Sequence, residues 1–355
     1  MAPPNSSSSM TIRYFDRAKI DPVRWDDCVC ASAQRLIYAF SWYLDALTTG
    51  TGAPNWGGIV AEDHGKYQAV MPVVYKKKFG ICYVIQPDYC QQLGIFSRVD
   101  VELPSLSAAF FHQLARRFKW VVSYRFNEKN ETELEFPTGF SVTKRLNHVL
   151  ELNKPYEELF RNFATDRKIN LNRARHADWL VEEKPDIRPL IQLHRQHNEA
   201  KVVGGMKLDL TIYERFARAV DALQNRGLAR IWLARKLDGE TAEAGGLFVL
   251  DRDRIIYLFN GASVSGRKQQ ARLWMINRLI EEFAGQPMVF DFESPAVGAE
   301  SVKAYYRSFG AENRPYTEIS YNNLPWLITS VRRFGRIVTL LLKKTQVVSQ
   351  AGVVF

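Results

Sequence analysis

The feature that most constrains this fold is a pattern of apolar runs and turns that occurs twice in the same order. In the first half, two strand-like runs flank a turn at Gly65, and a third run precedes a helical stretch over 106–118 and another strand over 120–126. In the second half, the turn lies at Gly239 and the helical stretch over 271–283. Because hairpin, strand, helix and strand match in order, the sequence predicts two similar α/β units in one chain.

The repeat divides the chain into four consecutive parts, namely a disordered leader (1–10), a first unit (11–146), a second unit (147–325) and a basic amphipathic tail (326–355). Each unit is expected to hold a mixed, mostly antiparallel central sheet flanked by helices, which is an α/β (α+β) architecture. Three more helices are predicted between the two β-rich cores, one beginning near Pro155 and two over 187–198 and 210–225.

Composition fits a folded protein with an anionic partner. The chain has 355 residues, 46% of them hydrophobic, which is enough apolar material for more than one core. No apolar run approaches the ~18 residues expected of a membrane span. The net charge of +10 favours a phosphate-bearing cofactor, tRNA or an anionic membrane, without choosing among them. No basic block typical of nucleic-acid tails occurs, and no DNA partner is expected.

Cysteine and histidine spacing predicts no metal site. Cys28-x-Cys30 lacks a second pair at a metal-binding distance along the chain, and His194 and His197 lack a neighbouring Cys or an HExxH pattern. Few cysteines and no secretion signal favour the cytoplasm. The basic tail is expected either to pack on its own protein or to lie on a membrane surface.

The order of elements resembles the GNAT acyltransferase fold, and two such units in one chain resemble the FemAB-type tandem-GNAT family. Residues 290–294, Phe-Asp-Phe-Glu-Ser, together with 305–311 and 315–316, are similar to that family's "FDFEGS … F..FGA … PY" segment. Residues 166–175 resemble its "R..I.RA.K" helix, and 86–96 resemble a "QP…QQLG.F" stretch of bacterial relatives. The resemblance extends over most of the chain and implies two tandem GNAT-like domains.

The resemblance also implies an N-acyltransferase acting on an amine of a small molecule or a cell-envelope precursor, without a tightly bound cofactor. The donor stays open between acyl-CoA and aminoacyl-tRNA. Residues 261–271 carry glycines and cations but not the Q/R-x-x-G-x-G/A pattern of acetyl-CoA-using enzymes, and Tyr305-Tyr306 replaces the Phe-Lys common in aminoacyl-tRNA users. Two other functions are a non-catalytic ligand-binding module with the same fold and a membrane-surface protein acting through the tail.

Two carboxylates of the second unit are the first candidates for catalysis. Along the strand predicted over 288–292 side chains alternate, so Asp291 and Glu293 are expected on one face. Carboxylates at a strand end can bind a substrate amine and accept its proton. The alternative is that Asp291 caps the next helix and Glu293 forms a surface ion pair. Because the first unit lacks such a pair, we expect the second unit to carry the chemistry and the first to shape the acceptor site.

The start of the second unit's central helix predicts an anion site. Arg267 and Lys268 lie where the helix macrodipole also favours negative charge, and Ser263, Ser265 and Gly266 precede them. We expect these five residues to bind a phosphate or carboxylate, and solvated cations are the alternative.

Tyrosines, glutamines and a charged helix complete the candidate site. Tyr306 is the catalytic candidate among three tyrosines that can protonate a leaving group or hold a carbonyl, and the alternative for all three is a core position. The candidate substrate contacts are Tyr257, Tyr305, Arg307, Gln86, Gln91, Gln92, Arg167 and Lys168. For the last two, a solvated helix face is the alternative.

Overall fold

A computed structural model describes residues 10–101, 103–131, 134–202, 210–296 and 298–326. Its strands are β1 (Thr11–Asp16), β2 (Asn55–Asp63), β3 (Lys66–Lys78), β4 (Ile81–Val84), β5 (Phe96–Ser97), β6 (Trp120–Arg125), β7 (Phe140–Glu151), β8 (Trp179–Lys184), β9 (Ala229–Lys236), β10 (Ala244–Asp251), β11 (Arg254–Ala262), β12 (Val289–Asp291) and β13 (Glu312–Asn322). Its helices are α1 (Pro22–Cys30), α2 (Ser41–Thr48), α3 (Leu103–Arg117), α4 (Tyr156–Arg161), α5 (Thr165–Arg175), α6 (Arg188–Val202), α7 (Thr211–Gln224), α8 (Val264–Lys268), α9 (Ala271–Phe283) and α10 (Glu300–Arg307).

The strands form one mixed sheet in the order β1-β2-β3-β4-β6-β13-β7-β12-β11-β10-β9-β8, with β5 paired to β3. Both units contain an antiparallel meander that leads through a helix to a strand parallel to its last member. In the first unit α3 connects β4 to β6, and in the second α8 and α9 connect β11 to β12. The predicted α/β fold and the repeated order of elements are confirmed.

The last strand of each unit pairs with the other unit. β7 lies between β13 and β12, whereas β13 lies between β7 and β6. The two exchanged strands pair antiparallel with each other, from Glu312 opposite Val149 to Tyr321 opposite Phe140. One sheet therefore runs through both units. The predicted division between residues 146 and 147 falls within strand β7, and it stays a prediction.

Helices cover both faces of the sheet and form two apolar clusters. One cluster joins α1, α2 and α3 to α6 and α7, so the first unit shares its core with the second. The other packs α4, α5 and α9 on the opposite face of the second unit's strands. Alternation along β11 explains the division, because Ile256 and Leu258 face the first cluster while Ile255 and Tyr257 face the second.

A local signal places the start of α1. Asp21 caps α1, because its Oδ1 accepts hydrogen bonds from the backbone N–H groups of Val23 (2.9 Å) and Arg24 (3.2 Å), and Pro22 occupies the first helical position. No helix in the described part of the chain has the length and apolar character needed to cross a bilayer. Of the predicted leader (1–10) and the predicted tail (326–355), residues 1–9 and 327–355 lie outside the described residues.

Candidate active site

The candidate site lies where two parallel strands stop pairing. β11 pairs with β12 only from Arg254 opposite Val289 to Ile256 opposite Asp291, although β11 continues to Ala262. The chain that follows Asp291 is therefore released from β11 in the middle of the sheet. Glu293 lies in this released segment, where the second unit meets the first.

The carboxyl group of Glu293 has a raised pKa. Burial raises its pKa to about 8, and the nearby Asp291 charge acts in the same direction, whereas the hydrogen bond from Tyr38 and the charge of Arg125 oppose the shift. The Tyr38 hydroxyl donates this hydrogen bond to Glu293 Oε1. Part of the residue still reaches the surface. The carboxyl group can therefore exchange a proton near neutral pH and contact a ligand.

Tyr38 reaches the site from the first unit, in a 3₁₀ turn over Ile37–Ala39. It is buried, and burial raises the pKa of its phenol well above the ordinary value, so it stays protonated and donates to Glu293. Tyr38 could not be predicted from the sequence, because no motif marks it and its contact with Glu293 spans 255 positions of the chain.

Asp291 is buried and holds the backbone of Glu293 in place. Its Oδ1 accepts hydrogen bonds from the Glu293 backbone N–H (2.8 Å) and from Asn147 Nδ2 (3.0 Å), and its Oδ2 is 2.5 Å from Arg254 Nη1. Arg254 also pairs with Glu128, so the buried ion pairs join the two units. Glu293 lies beyond the strand and has a φ of 63°, so strand alternation does not determine its direction.

His148 is a second polar group beside Glu293 that no sequence motif predicts. It lies on β7, is 0% exposed, and neither ring nitrogen has a hydrogen-bond partner among the described residues. Its backbone carbonyl accepts from the Phe292 N–H (2.9 Å), and the backbone of Glu293 approaches its ring without completing a hydrogen bond. Burial, then the charges of Arg307 and Lys303, lower the pKa of the imidazole. A neutral imidazole offers one donor and one acceptor to a ligand.

The three candidate tyrosines gather on the same side of the sheet. Tyr306 stacks on Phe292 at 4.9 Å between ring centroids, and its ring is 5.8 Å from that of His148. Burial raises the pKa of Tyr257, Tyr305 and Tyr306, so all three phenols stay protonated.

Two arginines flank this tyrosine group. Arg272 donates to Asn260 Oδ1 (2.8 Å) and lies 5.8 Å from the Tyr305 ring centroid. Arg167, predicted as a substrate contact, is buried, lies 4.5 Å from the same ring and donates through Nε to Ser308 (2.8 Å). Of the remaining predicted cations, Arg307 is exposed, and Lys168 donates to the Arg161 carbonyl (2.8 Å).

The predicted anion site was expected at the start of the central helix, α9, but Arg267 and Lys268 lie in the last turn of the short preceding helix α8. Internal contacts largely occupy the polar groups at the start of α8. The Ser263 hydroxyl donates to the Glu243 carboxylate and accepts from the Gly266 N–H (2.9 Å). A Cβ at Gly266 would lie 2.1 Å from the Glu243 carbonyl oxygen, so only glycine permits this close approach. A carboxylate at this helix start opposes binding of a second anion.

The other members of the predicted anion site point to different places. Ser265 accepts from Gln269 (3.2 Å), and Arg267 donates to the His197 carbonyl (3.0 Å). Lys268 lines a separate cleft of about 830 Å³ with Arg173 and Lys236, and Glu293 is not part of that lining.

The three predicted glutamines are buried or half-buried in the first unit, and two of them, Gln86 and Gln92, bond to its backbone. Gln86 donates to the Cys90 carbonyl (2.6 Å) and accepts from the Arg125 N–H (3.0 Å), and Gln92 accepts from the Glu128 N–H (3.1 Å). Gln91 Oε1 accepts from Gln92 (3.4 Å). These contacts hold the loop before α3 against the end of β6.

The equivalent place in the first unit lacks acid–base character. Phe126 donates its N–H to the Thr317 carbonyl (2.8 Å), as Phe292 does to His148 in the second unit. The next residue is Asn127, whose Nδ2 donates to the Gln34 carbonyl (2.5 Å) and whose Oδ1 accepts from the Lys129 N–H (2.8 Å). A neutral amide with satisfied hydrogen bonds thus occupies the position that corresponds to Glu293.

Comparisons with known proteins agree with this architecture. Residues 161–303 match the family model described as an acetyltransferase (GNAT) domain. The chain is similar to the crystal structure of FemX, with a TM-score of 0.59 and 13% identity over 86% of this chain and 96% of that one. It is also similar to a tandem GNAT protein from the clavulanic acid biosynthesis pathway, with a TM-score of 0.53 and 10% identity over 89% of this chain and 99% of that one.

A third similar structure is the C-terminal domain of a putative lysylphosphatidylglycerol synthetase from Agrobacterium fabrum. Its TM-score is 0.50 at 12% identity, over 86% of this chain and 93% of that one. A comparison with curated protein sequences finds no match. The fold is therefore that of the GNAT acyltransferases. More particularly, residues 161–303 match the model of a GNAT domain, and the predicted resemblance to FemAB-like, tandem-GNAT proteins is confirmed at the level of the fold.

Proposed function

We propose that the protein is an N-acyltransferase in which Glu293 accepts the proton of the acceptor amine. The observation that carries the proposal is the Glu293 carboxyl group, whose pKa of about 8 suits a base that works near neutral pH. The GNAT fold supports acyl transfer as the reaction class. The absence of an equivalent base at Asn127 supports assigning the chemistry to the second unit.

In the proposed reaction, the amine nitrogen attacks the acyl carbonyl carbon and a C–N bond forms. The ester or thioester bond of the donor breaks, and the amine proton passes to the Glu293 carboxylate. Tyr306, which stays protonated, is the proposed proton donor to the leaving group. Tyr38 holds Glu293 in place, and the buried His148, which lies beside Glu293 and 5.8 Å from the Tyr306 ring, positions these two side chains.

The proposed acceptor is an amine of a small molecule or a cell-envelope precursor, and the proposed donor is acyl-CoA or aminoacyl-tRNA. The contacts at the start of α8 weigh against a pyrophosphate there, because Glu243 already takes the Ser263 hydroxyl. The same contacts favour the alternative function, a non-catalytic ligand-binding module that retains the fold. The assay below separates these possibilities.

The first experiment is a thermal-shift scan of the whole protein with free CoA, acetyl-CoA and longer acyl-CoAs. A donor at 100 times its dissociation constant stabilises the folded state by about 2.7 kcal/mol, which raises the midpoint by several degrees. A CoA-dependent shift would establish an acyl-CoA donor, and its absence would direct the assay to aminoacyl-tRNA.

Turnover is then measured with Glu293→Gln, for which we expect a loss of at least about 100-fold in kcat. The matched control is Glu300→Gln, a surface glutamate paired with Lys303 at 2.7 Å, which should keep full activity. Unchanged turnover of Glu293→Gln would refute the assignment of the base. Ligand binding without turnover over the whole donor panel would instead establish the binding module.

A further inference from the structure

The end of the β3–β4 hairpin protrudes from the sheet. Pairing between β2 and β3 stops at Asn55 opposite Tyr75, so the last three residues of β3 pair only with β4. The turn is made by Phe79 and Gly80, both with positive φ (50° and 77°). Residues 76–83 therefore form a two-stranded tip.

This tip is both basic and apolar. Phe79 is 91% exposed, and Lys78 Nζ lies 5.4 Å from its ring centroid. Lys77 is also exposed, and Lys76 is half-buried. None of the three lysines forms an ion pair with a described residue.

Other strand ends bring more cations and aromatic rings to the same rim. The Trp120 ring, at the start of β6, lies 4.6 Å from that of Tyr83 on the hairpin. The Asn323 N–H donates to the Lys119 carbonyl (2.8 Å), which places the chain after β13 beside β6. Trp326 follows and is 73% exposed. We define the docking rim as residues 76–80, Lys119 and Trp326.

Lysines on a protruding strand can also serve to prevent pairing with another chain. That role does not explain Phe79, because an exposed aromatic ring at the tip favours association. Single-stranded RNA would stack bases on aromatic rings within a basic groove, whereas Phe79 projects from a convex tip. A ring that enters the headgroup region, surrounded by lysines that attract anionic lipids, is the chemistry of a membrane contact.

We propose that the docking rim binds anionic lipid bilayers. The docking rim lies away from Glu293. Along β7, residue 147 is level with Glu293 and Phe140 is level with the rim. The distance between these two residues is about 20 Å at ~3.3 Å per residue. The contact orients the sheet end-on to the membrane and is independent of the acyl-transfer proposal.

The test is flotation of the whole protein with phosphatidylcholine vesicles, with and without phosphatidylglycerol. We expect binding only with the anionic lipid, at least about tenfold weaker in Lys77→Glu/Lys78→Glu. Phe79→Asn should weaken binding several-fold, and asparagine tolerates the positive φ. The matched control is Val99→Asn, which removes an apolar side chain of 82% exposure near the opposite end of β3 and should bind as the wild type does.

The proposal is overturned if the wild type does not float with anionic vesicles, or if the rim variants float as well as it does. It is also overturned if the lysine variant loses binding to bulk tRNA while keeping its binding to vesicles. Because all the substituted side chains are exposed, unchanged melting temperatures are expected and serve as the check on folding.

Discussion

The Tyr38 hydroxyl of the first unit donates a hydrogen bond to the Glu293 carboxylate of the second. The candidate base is therefore completed by a side chain from the other half of the chain. Asp291 fixes the Glu293 backbone from within the second unit, so the position of the carboxylate depends on both halves. Substitutions of these residues and of the buried groups around them should therefore change stability, activity or both.

Stability should fall as pH rises through the pKa of Glu293. Its folded pKa, about 8, lies above the ordinary 4.5, so its contribution is fully present below about pH 4.5 and is lost as pH rises through 8. Glu293→Gln abolishes this loss, because glutamine carries no charge. We expect the variant to melt a few degrees higher than the wild type at about pH 9 and to be nearly equal at about pH 5. Equal melting temperatures at both pH values would contradict the raised pKa.

Tyr38→Phe removes a hydrogen bond that lowers the pKa of Glu293. The pKa should therefore rise further, and the alkaline rise of kcat with pH should move to higher pH. Tyr43→Phe is the matched control, because the Tyr43 hydroxyl donates to the Tyr89 carbonyl (2.6 Å) and not to Glu293. Both variants should lose about 1 kcal/mol of stability. A shifted pH profile in both would show that the effect is structural.

His148→Leu should separate function from stability. The wild-type ring is buried without a hydrogen-bond partner among the described residues, so an apolar replacement should leave the free energy of unfolding unchanged or raise it by about 1 kcal/mol. Acyl transfer should fall at least about tenfold, with partial recovery in His148→Gln, which keeps a donor and an acceptor. Denaturant unfolding and steady-state kinetics measure the two effects, and full activity of the leucine variant would exclude a role for the ring.

Arg254→Met should destabilise the junction between the units. Arg254 is buried between Asp291 and Glu128, and its removal leaves two buried carboxylates without their shared cation. The expected loss is about 3–5 kcal/mol in urea unfolding. Arg252→Met, two residues earlier and exposed, is the control and should change stability by less than about 0.5 kcal/mol. A loss below 1 kcal/mol for Arg254→Met would show that the network contributes little.

Local patterns in the sequence were sufficient to predict the helices and strands of the repeat and to locate Asp291 on a strand. Apolar periodicity predicted the helix α9 over Ala271–Phe283, and the strand β12 ends at the candidate residue Asp291. The role of Asp291 could not be predicted, because it depends on an arginine from the neighbouring strand β11. The amide groups of Gln86 and Gln92 bond to backbone partners, and these contacts could not be predicted because they depend on how the loop packs against β6.

The two α/β units and a strand that ends next to Glu293 could be predicted, because helix and strand periodicity and turn residues act over short distances along the chain. The exchange of β7 and β13, the contact between Tyr38 and Glu293 and the burial of His148 beside them depend on tertiary packing. These contacts join residues far apart in the chain, and their geometry follows from how the sheet and both cores pack. Desolvation at that junction raises the pKa of Glu293 to about 8, which suits a base that works near neutral pH.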